Sequence, residues 1–244
     1  MEIKEYEIMA KMEERHWWFV ARRHIISSVL SKLPLPENAK VLEIGCGSGG
    51  NLEMLAKFGE VYAIEPNDEA RERAKQKGLA KAIEKVEMPN VPFMDERFDL
   101  IVLLDALEHI DDDKKTLEIL QSVLKETGII FITVPAMQFL WSEHDVVCHH
   151  KRRYNREGLN RIIEEAGYRV KSSSYYNTIL FPIIGCIRIL KRFVNFGNAE
   201  GSDLSMPADF LNNLLERIFA SEAKLLEKFS LPFGVSLMAT ATKN

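Results

Sequence analysis

Cysteine is scarce in this chain of 244 residues: only Cys46, Cys148 and Cys186 occur. They are odd in number and widely spaced, with no CxxC pair. That excludes a disulfide framework and points to a reducing, cytoplasmic setting. Charge of one sign is missing as well. Lys and Arg number 32 against 36 Asp and Glu, a net charge of -4, so nucleic acid is not expected as a partner. No long apolar run is present. The opening "MEIKEYE" lacks the apolar core of a signal peptide. The longest apolar stretch, "TILFPIIGCI", is about half of the roughly 20 residues that a membrane span needs. Repeats and low-complexity tracts are absent. What is there is 46% hydrophobic, enough for the core of one large α/β domain.

Hydrophobic periodicity orders the chain. Residues from about Ile3 to Leu33 read as a helix closed by "PLPEN". Apolar strands then alternate with helices. "AKVLEIG" is followed by a helix from about Gly50 to Phe58, and "EVYAIEP" by "DEARERAKQKG", with Gly78 as its C-cap. "FDLIVLLD" is followed by a helix from about Lys114 to Lys125, and "GIIFITVP" by a polar loop and the helix "REGLNRIIEEAG". "YRVKSSSYY" and "GVSLMATATK" are strands, separated by a mostly helical insertion. Near-continuous apolar strands alternating with helices predict a parallel sheet covered on both faces. The chain divides into a helical cap (1–37), a core (38–176), the insertion (177–233) and a closing strand (234–244) of one domain.

Ligands of such sheets bind at the carboxyl ends of the strands. The first strand ends "VLEIGCGSGG", a tight turn aimed at a helix N-terminus. Gly45, Gly47 and Gly50 satisfy GxGxxG, a dinucleotide fingerprint. Glu43 speaks against a pyrophosphate, which its carboxylate would repel, and suits an ammonium group. The spacing Glu43, Gly45, Gly47, Gly49 resembles motif I of the class I S-adenosylmethionine-dependent methyltransferases.

That resemblance implies a Rossmann-like, seven-stranded, mostly parallel sheet with helices on both faces and an antiparallel last strand. It implies S-adenosylmethionine as cofactor. Glu65, with Pro66 beside it, would hold the ribose hydroxyls, a bidentate clamp. Glu87 and Met88 would meet the adenine, and Asp105, after the fourth strand, the methionine end. The front "HWWF-x-x-RR" (His16, Trp17, Trp18, Phe19, Arg22, Arg23) and the later His144, Asp145, Arg152, Arg153 and Tyr154 resemble a type 11/23-like subgroup. Trp18 and Arg22 are expected at the cofactor, with the indoles as a lid. The plainer alternative is a helix that only packs on the sheet.

Two further stretches carry chemistry. "DALEH" offers Asp105, Glu108 and His109, which resemble a magnesium motif of some relatives; the expectation is nevertheless metal-free chemistry, since few oxygen ligands are identifiable. "WSEHDVVCHHKRRY" supplies His144 or His150 as a base, and Asp145 as orienter or alternative base, for direct in-line methyl transfer. Arg152 and Arg153 suit an acidic group on the acceptor. The acceptor is read as a small molecule or a sugar- or lipid-linked one. In the insertion, Phe210, Leu214, Ile218, Leu225 and Phe229 keep helical spacing over about Ala208 to Phe229. The insertion is expected to pack on the sheet edge or in a homodimer. Alternatively it walls the acceptor pocket and touches a membrane surface through Arg188, Lys191 and Arg192. A silent cofactor-binding protein and an NAD-dependent oxidoreductase remain as other function classes.

Overall fold

The computed structural model describes residues 10–193 and 205–244. The sheet has seven strands: β1 (Ala39–Ile44), β2 (Gly59–Ile64), β3 (Ala82–Glu84), β4 (Phe98–Leu104), β5 (Leu124–Pro135), β6 (Tyr168–Tyr176) and β7 (Ser236–Lys243). Their order is β3-β2-β1-β4-β5-β7-β6. The first five run parallel, and β7 is antiparallel to both its neighbours. Ile44 pairs with Ile64 on one side and Leu103 on the other, so β1, β2 and β4 finish at one edge.

Side chains alternate between two apolar layers. One layer joins Leu42, Ile44, Ile101, Leu103 and Ile132 to Leu117 and Leu120 of α4 (Asp113–Leu120) and to Leu159 and Ile163 of α6 (Arg156–Glu165). The other joins Val41, Val61, Val102 and Phe131 to Ala21, Ile25, Ile26 and Leu30 of α1 (Trp17–Leu30). Two short helices, α2 (Leu52–Leu55) and α5 (Glu143–Val147), and α3 (Asp68–Gln76) lie in the connections. Gly78, at φ +65°, follows α3 as expected.

The front of the chain departs from the single helix expected from Ile3 to Leu33. Residues 10–12 are helical, the chain turns over 13–16, and α1 starts at Trp17. His16 caps it by accepting the Trp18 N–H at 3.3 Å. Glu13 is drawn the other way, accepting from Ser48 Oγ at 3.0 Å and Lys77 Nζ at 3.0 Å. The stripe through Met12, Phe19 and Ile26 is therefore broken, and Ile8 lies outside the described residues. Two other helices are shorter than expected, at Leu52–Leu55 and Asp113–Leu120, and each ends in a turn before the next strand.

The insertion holds α7 (Phe181–Phe193), α8 (Asp209–Ala220) and α9 (Glu222–Leu226). The helix expected over Ala208 to Phe229 breaks at Ser221, and its packing face differs. Asn212, Phe219 and Ala223 are buried, while Phe210 is 81% and Phe229 63% exposed. Asn212 sets this rotation by accepting the Trp17 N–H and donating to the Arg15 carbonyl, both at 2.9 Å. Phe219 stacks on Tyr176 with ring centres 6.1 Å apart. Most of the polar loop expected at 195–207, and the side chains of Lys191 and Arg192, lie outside the described residues.

Candidate active site

The turn after β1 is held to β2: the Gly45 and Cys46 amides donate to the Ile64 carbonyl at 2.8 and 3.1 Å. Gly45 and Gly47 sit at φ +73° and +55°, where only glycine is unstrained. A Cβ on Gly47 would meet nothing within 4 Å, so the backbone there borders open space. Glu65 stands at the end of β2. Its Oε2 accepts the Gly47 N–H at 2.7 Å and its Oε1 the Asn67 N–H at 2.9 Å. A cleft of about 520 Å³ opens over these groups, lined also by Trp18, Arg22, Asn51, Pro66, Glu87, Met88 and Asp105. Asp105 has φ +56°, a strained conformation for a residue with a side chain. Its amide is held by Thr133, and its carboxylate meets Arg22 Nη2 at 2.6 Å. The Arg22 guanidinium lies 5.3 Å from the centre of the Trp18 ring.

A second cavity of about 400 Å³ adjoins the cleft. Trp18, Phe19, Asp105 and His109 line both. One wall of the second cavity is apolar, with Trp17, Pro135, Ile184, Ile187 and Val235. Glu108, His109, His144 and His150 also line it. His150 Nδ1 lies 2.9 Å from Asp145 Oδ1, and His150 Nε2 lies 4.0 Å from Glu108 Oε1. Glu108 is fully buried, and neither carboxyl oxygen has a hydrogen-bond partner among the described residues. Burial first, and the Asp105 charge second, push its carboxyl well above the usual range. Burial also pushes His109 down to about 3, helped by the neighbouring His150.

A family profile described as a methyltransferase domain matches residues 17–173. The chain belongs to the class I S-adenosylmethionine-dependent methyltransferases. Among its relatives is a ubiquinone biosynthesis O-methyltransferase of Histophilus somni, 27% identical over 151 residues, which cover 54% of this chain and 62% of that protein. A probable S-adenosylmethionine-dependent methyltransferase of Mycobacterium tuberculosis is 23% identical over 64% of this chain and 57% of its own length. Each match thus spans less than two thirds of the relative. Among solved structures, a methyltransferase complexed with the Trm112 activator of Haloferax volcanii superposes with TM-score 0.62 at 17% identity, covering 96% of this chain and 92% of that one. That similarity concerns the fold.

Within this methyltransferase, most expected cofactor residues converge: Trp18, Arg22, Gly45, Gly47, Glu65, Pro66, Glu87, Met88 and Asp105 all line the cleft. Two do not. Glu43 is fully buried behind Asn51, accepting its Nδ2–H at 2.8 Å. Burial raises its carboxyl to about 7, against the lowering effects of Asn51 and Arg22. Gly49 lies beneath the turn, where a Cβ would come within 2.8 Å of Leu52. Gly50, which completed the dinucleotide pattern, leaves room for Glu13, whose Oε2 would lie 2.4 Å from a Cβ there.

The loop after β5 sorts its polar residues into two kinds. His144 and His150 line the second cavity. Asp145 does not reach it: fully buried, it receives two hydrogen bonds from Arg153 at 2.8 and 3.0 Å besides its contact with His150. Burial alone would raise its carboxyl; His150 and Arg153 outweigh that and hold it far below the usual range. Both Asp145 oxygens are thus taken up by Arg153, and one also by His150. Arg152 and Tyr154 both bond Asp113, at 2.7 and 2.8 Å, so they brace the loop and do not face an acceptor. Arg188 lines the cavity and donates to the Leu140 carbonyl at 2.8 Å. Of Asp105, Glu108 and His109, Asp105 meets Arg22, while ligand atoms of Glu108 and His109 lie within 4.8 Å of each other and of His150.

Sequence reading missed Asn51, Glu13 and Asn177. Asn177 follows β6 directly, at the ligand edge, with its side-chain amide buried and lacking a hydrogen-bond partner among the described residues. Its position after a strand end was the available signal.

Proposed function

We propose that this methyltransferase modifies a hydroxyl of an apolar acceptor seated in the second cavity. The observation that carries this reading is the shared wall of Trp18, Phe19, Asp105 and His109, which puts that cavity and its histidines against the cofactor cleft. The cleft suits S-adenosylmethionine: the backbone at Gly47 borders open space, Glu65 can take hydroxyl donors, and Asp105 and Asn51 can face an ammonium. When bound, this cofactor supplies a methyl group on a positively charged sulfur, displaced in line to leave S-adenosylhomocysteine.

The chain's own residues do the rest. Trp17, Trp18 and Phe19 exclude water and align the acceptor, which is where the protein contributes most to such a displacement. His144 and His150 stand where an acceptor O–H can lose its proton, and Asp145 fixes the His150 ring. The apolar wall favours a greasy acceptor. Exposed Ile183, Ile187 and Leu190 on α7 extend that character outside, which supports entry from a lipid surface. Two relatives bear names of the same kind, a ubiquinone biosynthesis O-methyltransferase and a sterol 4-C-methyltransferase of Caenorhabditis elegans.

The test is a screen of phenols and alcohols, with and without apolar tails, using methyl-labelled cofactor and mass spectrometry. O-methyl products that need the tail are expected. Products methylated only on nitrogen or carbon, or a preference for free sugars, would overturn the reading.

A further inference from the structure

Asn177 stands where the acceptor cavity meets the end of β6, and its backbone is fixed there. Tyr176 pairs with Ser236 in the ladder, and the Asn177 carbonyl accepts the Val235 N–H at 3.4 Å. Two residues on, Glu222 accepts the Ile179 N–H at 2.7 Å. Asn177, Val235 and Ser236 all line the cavity. The Asn177 side chain is fully buried, yet neither its Oδ1 nor its Nδ2 has a hydrogen-bond partner among the described residues. A buried carboxamide in that condition is costly, because it has given up water on both its donor and its acceptor side. Its φ of +57° accounts for part of the choice of residue, since asparagine tolerates the left-handed region. Glycine would serve that turn without an amide to satisfy. The side chain therefore has a use beyond the turn.

We infer that Asn177 is a specificity-determining residue that reads a second polar group of the acceptor: a neutral, flat group of the carboxamide kind, with an N–H or O–H donor beside a carbonyl oxygen. The Asn177 amide presents an acceptor and donors in one plane, and such a group presents their complement. Asparagine makes the same two-point match when it reads a base edge in DNA. A carboxylate on the acceptor would satisfy Nδ2 but set a second oxygen against Oδ1, and an alkyl group would satisfy neither. A site of this kind rejects analogues through its own polar groups left unpaired. This inference rests on the second cavity being the acceptor site. It adds that the greasy acceptor is polar at two places, at the hydroxyl that takes the methyl group and at the group that meets Asn177. Asn177 touches no reacting atom and takes no part in the transfer.

The full-length protein is titrated by calorimetry with octyl-tailed phenols in the presence of S-adenosylhomocysteine, which keeps binding apart from turnover. One series carries a carboxamide at each ring position in turn, one a methyl ketone of the same shape, and one phenol carries neither. In the wild type the best carboxamide probe should bind at least about tenfold tighter than the plain phenol, with its ketone counterpart between them. Asn177→Gly, which suits the positive φ, and Asn177→Ala should each narrow that ratio to about twofold. A residue that only shaped the turn would move all the probes together and leave the ratio as it was. S-adenosylmethionine affinity, measured on each variant, shows that it is folded. Turnover of the same probes is followed separately. A carboxamide preference that depends on Asn177, without O-methyl product, supports the role of Asn177 and tells against hydroxyl transfer. A wild-type ratio near one, binding of none of the probes, or an unchanged ratio in the folded variants overturns the inference.

Discussion

The cofactor cleft and the acceptor cavity share a wall but are built by opposite means. Most of the cleft comes from strand ends between Gly45 and Asp105, and backbone amides satisfy its acid: Glu65 is held by the Gly47 and Asn67 N–H groups. The cavity draws on α1, the loops after β4 and β5, the end of β6 and the insertion. The buried side chains of its Glu108 and Asn177 have no hydrogen-bond partner among the described residues. A ligand that never changes can be met by turns; one that varies among relatives is met by side chains brought from afar.

Four changes would break or sharpen this contrast. The largest effect belongs to Gly47→Val, which puts branched carbon into the cleft and strains a positive φ; cofactor binding should be abolished. Unchanged calorimetric affinity would remove this turn from the cofactor site. Next is Asp145→Ala, on the acceptor side. It strands the buried Arg153 guanidinium, so urea denaturation should show a loss of about 3–5 kcal/mol. A loss below about 1 kcal/mol would mean the ion pair is not what holds the loop.

Glu43→Gln comes third, and its effect depends on pH. Folded Glu43 keeps its proton up to about pH 7, whereas the unfolded side chain loses it near 4.5. Between those values the folded state binds more protons, so wild-type stability falls as pH rises. Measured without cofactor, the variant should gain on the wild type across that window, by up to about 3 kcal/mol at pH 8. A gap that stays flat from pH 4 to 8 would show that burial does not perturb Glu43. The smallest is Glu65→Ala, which should weaken S-adenosylmethionine by about 2–3 kcal/mol through lost charged hydrogen bonds. Equal affinity in a direct titration would deny Glu65 the ribose role.

What could be read from the sequence follows the same division. The sheet, its helices and most of the cleft were legible because glycine spacing and strand periodicity are local. Glu43 was misplaced because spacing says which residue stands before the turn, not whether Asn51 covers it. Asp145 was offered as orienter or alternative base without the further point that "SEHD" spells a capping box, Ser142 with Asp145 three residues on, which the structure contains. The buried face of α8 was mistaken for another stripe because Asn212, a polar residue, decides its rotation through a contact 195 residues away. Such contacts leave no periodic trace.

The clamp of Asn212 on Trp17 and Arg15 has a thermodynamic consequence. It fastens the insertion to the start of α1, one residue before the Trp18 and Phe19 that divide the two cavities. An acceptor that shifts the insertion therefore shifts the partition, and the partition is also the cofactor's wall. Whatever factor the acceptor adds to cofactor affinity, the cofactor must return to the acceptor. Clamp and wall together make one helix the lever through which each ligand reports its presence to the other.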